Sequence, residues 1–406
     1  MSYYPLEKLS YSNHDQYEKV YEDRFSSESA IHLNFNISDY PAFFLMTPEV
    51  VSLVAAIYKA DKSVSTLKKT LPGVAIQQFT SSALVEEILL TNDIEGVYST
   101  RREIADVLES LRQEDRSKRF YGLVQKYDML QTYGEIPLQS PQDIRTVYDE
   151  LVLAEVREDS AQNVPDGEIF RKEEVSVYSK TQKEIHRGLY PESHIISAME
   201  KALDFLNNED IQAMLRIAIF HYLFGYIHPF YDGNGRTSRF ISSYLLSREL
   251  DALSGYRLSY TIKESIGEYY KAFKLCNSPR NRGDLTPFLL TFLRLIARSM
   301  EQLVAALEKR RQRYLYYLQA CKEAFFLDSN EKMLDVFDLL IQASLFSSQG
   351  ITVEELCAML RISRNTLSNR LKEISPETLL DVQVEGHRKY YSLDLSELDK
   401  IITTER

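Results

Sequence analysis

The feature that most constrains the fold is a pair of apolar segments separated by a short polar loop. Residues 210–227 are mostly apolar and lead into a His-Pro step, and a second apolar segment follows over about 236–250. Proline disfavours helical geometry in the residue before it, so the first helix should end there. Both segments carry apolar residues at helical spacing. The pattern predicts two buried helices joined by a glycine-rich loop.

Composition indicates a mainly α-helical protein with more than one domain. The chain has 406 residues, of which only 14 are glycine and 12 are proline, and strand-like alternation is scarce. We expect an N-terminal helical region over 1–115, a helical core over 116–300, a connecting helix over 301–327 and a C-terminal domain over 328–406. A short β-hairpin is also predicted before Pro191.

Charge and cysteine content argue against several classes of protein. A net charge of −11 opposes non-specific adhesion to nucleic acid or to anionic lipid. The three cysteines lie far apart, without the spacing of a zinc site or a disulfide framework. No stretch of about 18 uncharged apolar residues occurs, and the first residues lack the pattern of a secretory signal. We therefore expect a cytoplasmic protein without a membrane span.

The loop and the start of the second helix carry residues suited to binding phosphate. Gly233 and Gly235 leave backbone N–H groups open beside a helix N-terminus, where an anion is favoured. Arg236 and Arg239 are three residues apart, so both guanidinium groups can lie on one side of the helix and bind phosphate oxygens. Asn234 adds a neutral donor. The pattern indicates a nucleotide phosphate site.

Two further residues of the loop suit catalysis. Asp232 would repel a phosphate unless a hard cation such as Mg2+ bridges the two, which makes it a candidate metal ligand. His228 can take a proton from an attacking hydroxyl. Phe230 is interpreted as a packing anchor of the loop. A P-loop is excluded because Phe230 and Arg236 stand where it needs Gly and Lys, and Arg236 also excludes an EF-hand.

The sequence HPFYDGNGRTSR, residues 228–239, resembles the full motif of Fic-domain proteins, HPFx(D/E)GNGRxxR, at every position. The resemblance implies an enzyme that transfers AMP from ATP to a hydroxyl group of a target protein or of itself. It implies that His228 deprotonates the hydroxyl and that Asp232 binds Mg2+. The other loop residues would surround the ATP phosphates, with the first arginine at the β-phosphate and the second at the γ-phosphate: Gly233, Asn234, Gly235, Arg236 and Arg239.

Two more segments extend this resemblance. Residues 268–277 resemble the adenosine side of the family's pocket. The predicted hairpin corresponds to the family's flap, which clamps a target segment by strand addition and borders the nucleotide. Taken alone, the tyrosines of the first segment are ordinary core aromatics. The resemblance implies ATP contacts for five residues of these segments: Tyr269, Tyr270, Asn277, Ile185 and His186.

Residues 91–96 end a predicted helix over about 81–96 and resemble the family's inhibitory motif, (S/T)xxxE(G/N). Gly96 is the expected C-cap. Glu95 would lie at the negative end of its helix dipole, where a cation should compensate it. The resemblance implies that Glu95 pairs with Arg239, that Thr91 steadies it, and that ATP is then held in a non-productive pose. In some family members the same glutamate also supports removal of AMP.

Residues 328–406 resemble a winged helix-turn-helix domain, with Ser363 as the N-cap of the second helix and a hairpin turn near Gly386. Whether this domain binds DNA, a target protein or a second copy in a homodimer stays open. The alternative function is a DNA-binding regulator whose Fic core senses nucleotide. A third is transfer of another phosphate-linked group, although phosphorylating relatives carry Lys at the position of Gly235. The recognition helix and wing would present eight residues: Arg364, Asn365, Ser368, Asn369, Arg370, His387, Arg388 and Lys389.

Overall fold

The structure is a computed structural model that describes the following residues: 3–12, 14–111, 118–132, 134–178, 184–325, 327, 330–374, 377–385 and 388–404. Within these ranges the chain is mainly α-helical, with small antiparallel sheets, as predicted. No helix there is long and apolar enough to cross a membrane.

The chain divides into two compact units. One consists of Met1–Asp61 and Leu84–Glu301, and the other consists of Lys62–Ala83 and Gln302–Arg406. The four segments inferred from the sequence stay a prediction.

The N-terminal region contains a β-hairpin that the sequence analysis missed. Its first strand follows two helices and has Leu33, Phe35 and Ile37 buried on one face, with exposed residues between them. This alternation is the ordinary signal of a half-buried strand. The elements here are α1 (Leu6–Ser12), α2 (His14–Phe25), β1 (Ala30–Ile37) and β2 (Tyr40–Leu45).

The helix predicted over 81–96 is the second half of a longer helix. That helix begins at Gly73, and Gly96 follows its end with φ +75°. Glycine adopts this left-handed geometry without a steric penalty. The helices of this region are α3 (Pro48–Lys68), α4 (Gly73–Ile94), α5 (Arg101–Ser110), α6 (Tyr121–Asp128), α7 (Pro141–Leu151) and α8 (Leu153–Asp159).

The predicted hairpin is present as β3 (Ser176–Tyr178) and β4 (Glu184–Arg187), which pair antiparallel. The side chain of Ile185 is outside the described part of this hairpin. The two predicted buried helices follow and pack against each other, and nearly all of their apolar side chains are buried. The helices are α9 (Glu192–Leu206), α10 (Ala213–Ile227) and α11 (Asn234–Glu249).

An aromatic core lies between α10 and the helices after α11. The Phe288 ring lies 5.1 Å from that of Tyr222 and 4.5 Å from that of Phe273, measured between centroids. The predicted connecting helix over 301–327 falls mostly within one long helix, which ends at Ala324. These helices are α12 (Leu258–Glu264), α13 (Ile266–Asn277) and α14 (Thr286–Ala324).

The C-terminal segment combines helices with a three-stranded antiparallel sheet, in which the last strand of the chain lies between the other two. Ser363 caps its helix as predicted, because its hydroxyl accepts a hydrogen bond from the Thr366 N–H. His387 and the predicted turn at Gly386 lie outside the described residues. The winged-helix assignment stays a prediction. The elements are α15 (Glu331–Phe346), β5 (Ile351–Thr352), α16 (Val353–Leu360), α17 (Arg364–Glu373), β6 (Leu380–Glu385), β7 (Arg388–Leu393) and α18 (Leu395–Thr404).

Candidate active site

The loop between α10 and α11 is closed by hydrogen bonds within the loop. The Asn234 amide accepts a bond of 3.0 Å from the Phe230 N–H and donates one of 2.7 Å to the Phe230 carbonyl. Phe230 is fully buried and stacks on Tyr148 with 3.7 Å between ring centroids, which confirms it as a packing anchor. The Asn234 side chain therefore shapes the loop, and its predicted contact with phosphate stays a prediction.

Gly233 is required by both conformation and space. Its φ is +77°, in the left-handed region that favours glycine. A Cβ at this position would lie 2.9 Å from Val152 Cγ2 and 3.1 Å from Tyr148 Cε2. The backbone of the loop therefore packs directly against α7 and the residue that follows it. This places the first N–H groups of α11 at the loop, as the sequence predicts.

Arg236 is a buried cation without a close hydrogen-bond acceptor. The residue is 0% exposed, and none of its three side-chain nitrogens has a hydrogen-bond partner among the described residues. The Asp232 carboxylate lies nearby, with 3.7 Å between Arg236 Nη2 and Asp232 Oδ1. Burying a charged group with unsatisfied donors is costly unless an anion completes the site. The arrangement fits a phosphate.

The carboxylate of Asp232 is a candidate ligand for Mg2+. Its side chain is 37% exposed beside Arg236, and its carboxylate accepts a hydrogen bond from the Gly233 N–H. Mg2+ is usually bound by one or two carboxylates together with substrate phosphates and water. No cluster of three His, Cys, Asp or Glu occurs in the described ranges, and Asp232 as a ligand of Mg2+ stays a prediction.

His228 lies at the end of α10 and is partly buried. Its φ is +51° and its ψ is +63°, an unusual left-handed conformation for a residue other than glycine. Burial, together with the neighbouring His186 and Arg171, lowers the pKa of His228 to about 3. The imidazole is therefore neutral at pH 7 and has a free lone pair. His186 donates its Nε2–H to the Tyr226 carbonyl at 2.7 Å, which places the flap beside α10.

The predicted pair between Glu95 and Arg239 is present. Arg239 is 1% exposed, and its Nη1 lies 2.8 Å from Glu95 Oε1. Its Nε donates to the Thr91 hydroxyl at 2.8 Å and its Nη2 donates to the Thr91 carbonyl at 3.0 Å. The end of α4 thus provides acceptors for three nitrogens of this guanidinium. Thr91 contacts the arginine directly, which is more than the sequence predicted.

Gly235 leaves the room that this ion pair occupies. A Cβ on Gly235 would lie 2.0 Å from Glu95 Oε1 and 2.9 Å from Arg239 Nη1. A side chain here would therefore displace the carboxylate. The second glycine of the loop has a packing reason in addition to its predicted role at the phosphates.

Glu87 on α4 is a further carboxylate that interacts electrostatically with Arg239. Glu87 is fully buried, and both of its oxygens accept from the Ser259 N–H at 2.9 Å. Burial raises its pKa to about 7, against the opposing effects of Ser259, Arg239 and Arg257. The sequence analysis missed Glu87, because a glutamate within a helix normally indicates a solvated face.

The predicted adenosine-side residues have different surroundings. Tyr269 is buried and donates to His221 Nε2 at 2.7 Å, and the His221 Nδ1–H donates to Ser242 at 2.8 Å. Asn277 Oδ1 accepts from the Tyr222 hydroxyl at 2.7 Å. Tyr270 is 42% exposed. Two of these side chains are thus held by internal hydrogen bonds, and the contacts of all three with a nucleotide stay predictions.

Comparison with known proteins identifies this region. Residues 138–246 match the model of the Fic/DOC family. These residues are similar to Fic domains. They include the flap, α10, the loop and most of α11, and therefore all of residues 228–239.

The chain is also similar to two curated proteins. It is 30% identical over 118 residues to protein adenylyltransferase fic-1 of Caenorhabditis briggsae, which is 28% of this chain and 22% of the relative. It is 27% identical over 218 residues to protein adenylyltransferase Fic of Drosophila ananassae, covering 53% of this chain and 41% of the relative. The chain thus spans less than half of the length of these relatives.

A solved structure shares the fold. It is a Fic family protein from Desulfovibrio desulfuricans G20, with a TM-score of 0.50 and 19% sequence identity. The alignment covers 86% of this chain and 96% of the chain from D. desulfuricans. The similarity supports the fold assignment.

Proposed function

We propose that this protein is a Fic-type protein adenylyltransferase that transfers AMP from ATP to a hydroxyl group of a target protein. The observation that carries the proposal is the buried Arg236, whose nitrogens have no hydrogen-bond partner among the described residues and whose Nη2 lies 3.7 Å from Asp232 of the loop. A cation in this state needs an anionic ligand, and the adjacent glycines admit a phosphate to the start of α11. The relatives are named protein adenylyltransferases, which supports adenylyl transfer as the activity.

The reaction would be an in-line displacement at the α-phosphorus. The target hydroxyl attacks, a new P–O bond forms, and its proton passes to the imidazole of His228. The bond between the α-phosphorus and the bridging oxygen breaks, and its electron pair leaves with pyrophosphate. The negatively charged phosphates of ATP beside His228 would raise the pKa of its imidazole toward 7, which would make the imidazole a stronger base.

Arg236 and Arg239 would neutralise charge on the departing pyrophosphate. Mg2+ bound through Asp232 would add positive charge to the phosphates and orient them. The backbone N–H groups of Gly233 and Gly235 would lie around the same oxygens.

The contact between Glu95 and Arg239 would inhibit transfer. While the guanidinium donates to Glu95 and Thr91, it is withheld from the γ-phosphate. ATP can then bind in a pose that does not react. Release of Glu95 would therefore activate the enzyme. We extend this proposal to a cytoplasmic location and to self-modification, for which the 27 tyrosines offer hydroxyl groups.

Labelled ATP tests the activity. Wild-type protein, Glu95→Gly and His228→Ala are incubated with ATP labelled on the α-phosphate, and in parallel with ATP labelled on the γ-phosphate. We expect α-label on protein that increases in Glu95→Gly and disappears in His228→Ala. Transfer of γ-label would contradict adenylyl transfer. A salt-sensitive shift of duplex DNA without labelling would favour the DNA-binding regulator.

A further inference from the structure

We propose that Arg171 is a positioning residue that joins the flap to the backbone of His228. The flap is the β3–β4 hairpin, and Arg171 lies shortly before its first strand. The inference rests on the proposed function, because it assigns a role to a residue at the same site.

The three nitrogens of the Arg171 side chain each donate to a carbonyl of a different segment. Nε donates to His228 at 3.0 Å, Nη1 donates to Glu173 at 2.6 Å, and Nη2 donates to Leu189 at 2.7 Å. Glu173 precedes β3 and Leu189 follows β4. One guanidinium therefore ties both ends of the flap to the residue proposed as the base.

Arg171 is 0% exposed, so these bonds are shielded from water. Its charge is satisfied by backbone dipoles, and charge-assisted bonds of this kind are stronger than neutral ones. The planar fork of arginine can serve three acceptors in fixed directions, which lysine cannot do. This explains why a buried cation here needs no carboxylate.

The packing around this guanidinium leaves no space for adjustment. A Cβ on Gly188 would lie 2.5 Å from Arg171 Nη2 and 3.0 Å from His228 Cβ. The N–H of Leu189 also donates to the Ile227 carbonyl at 3.1 Å. The end of the flap thus contacts the end of α10 directly, and Arg171 donates hydrogen bonds to both.

His228 requires such support because its backbone is left-handed. This conformation is unfavourable for residues with a Cβ and persists only where the surroundings hold it. Arg171 binds the carbonyl of this residue, so it holds the peptide that orients the imidazole. Misplacement of a catalytic group by about 1 Å can cost about 100-fold in rate.

Arg171 also contributes charge at the imidazole. His186 on β4 and Arg171 both oppose protonation of His228 in addition to burial, and a hydrogen bond with the Gly225 backbone favours it. Removing the arginine should therefore raise the pKa of His228. A lysine at this position would keep the charge but lose the fork, so the two effects can be separated.

The kinetic experiment uses Arg171→Met and Arg171→Lys in the Glu95→Gly background. We expect kcat for transfer of AMP to fall about 100-fold in both, with KM for ATP within about threefold of the parent. The matched control is Arg145→Met. Arg145 donates to the nearby Ile169 carbonyl at 2.7 Å and pairs with Asp149, and neither of these acceptors belongs to the flap. Its kcat should stay near that of the parent.

The second readout is the titration of His228 by NMR with 13C-labelled histidine, assigned through His228→Gln. We expect Arg171→Met to raise the pKa of His228 and Arg171→Lys to leave it near the wild-type value. A folded Arg171→Lys variant with the kcat of the parent would overturn the inference, as would an unchanged titration in Arg171→Met. If the Glu95→Gly parent transfers no AMP, the proposed function fails, and the titration alone decides the role of Arg171.

Discussion

Removing the charge of Glu95 tests the pairing on which the proposed inhibition depends. Glu95 Oε1 lies 2.8 Å from Arg239 Nη1, and the side chains are 26% and 1% exposed. At this distance and an effective dielectric constant of about 20, the attraction is about 6 kcal/mol. Partial exposure of Glu95 and the lost hydration of Arg239 offset most of this, leaving about 2 kcal/mol. Since 1.4 kcal/mol corresponds to tenfold, the competing carboxylate weakens ATP binding roughly 30-fold.

The perturbation is Glu95→Gln, which keeps the shape of the side chain and removes its charge. We expect ATP with MgCl2 to bind roughly 30-fold more tightly than to the parent protein. Isothermal titration calorimetry measures this in a His228→Ala background, where turnover is prevented. The γ-phosphate then meets Arg239 without a competing anion, so the gain should be smaller for ADP.

Asp93→Asn is the matched control. Asp93 lies on the same helix and pairs with Lys263 at 2.7 Å, but its side chain is 59% exposed and that of Lys263 is 40% exposed. Exposed ion pairs contribute little, so ATP affinity should change by less than about twofold. The reasoning is refuted if Glu95→Gln changes ATP affinity by less than about threefold, because the pair then exerts no competition.

Three further substitutions test the structure around the site. Glu87→Gln should remove a pH dependence of stability. Burial raises the pKa of Glu87 from 4.5 to about 7, so the free energy of unfolding of the wild type falls as pH rises through this window. In thermal melts above pH 7, the variant should be more stable than the wild type by at most about 3 kcal/mol. Gly233→Ala should destabilise by about 1–3 kcal/mol and abolish ATP binding in calorimetry, since its Cβ meets Val152 at φ +77°. His221→Phe should lower the melting temperature by several degrees, an expected cost of about 1–3 kcal/mol, because Tyr269 loses its buried acceptor.

Much of the site could be predicted because its signals are local. The glycines and the two arginines of the loop lie within a few residues of each other, next to an apolar pattern that predicts α10 and α11. The end of α4 is likewise signalled locally, by Gly96 with Glu95 directly before it. The N-terminal hairpin had a similar local signal in β1, which a helical interpretation of the region overlooked.

Other contacts depend on residues far apart in the chain. The sequence contains nothing that distinguishes Arg171 from an ordinary surface arginine, and its three acceptors become adjacent only when the flap folds back onto α10. The same is true of Glu87, whose partner Ser259 lies on another helix. Such pairs require the packed chain, because burial, and not residue type, decides which polar groups must bind each other.

The sequence by itself determined a mainly helical chain and the residues available for chemistry, and it predicted a phosphate-binding loop, because helix periodicity and glycine geometry act over short distances. Only the tertiary structure decided that Arg236 is buried without a hydrogen-bond acceptor among the described residues, while Arg239 donates to Thr91 as well as to the expected partner Glu95. Both arginines lie in the first turns of α11. Their difference comes from α4, which packs against one of them and supplies oxygen atoms where water would otherwise be.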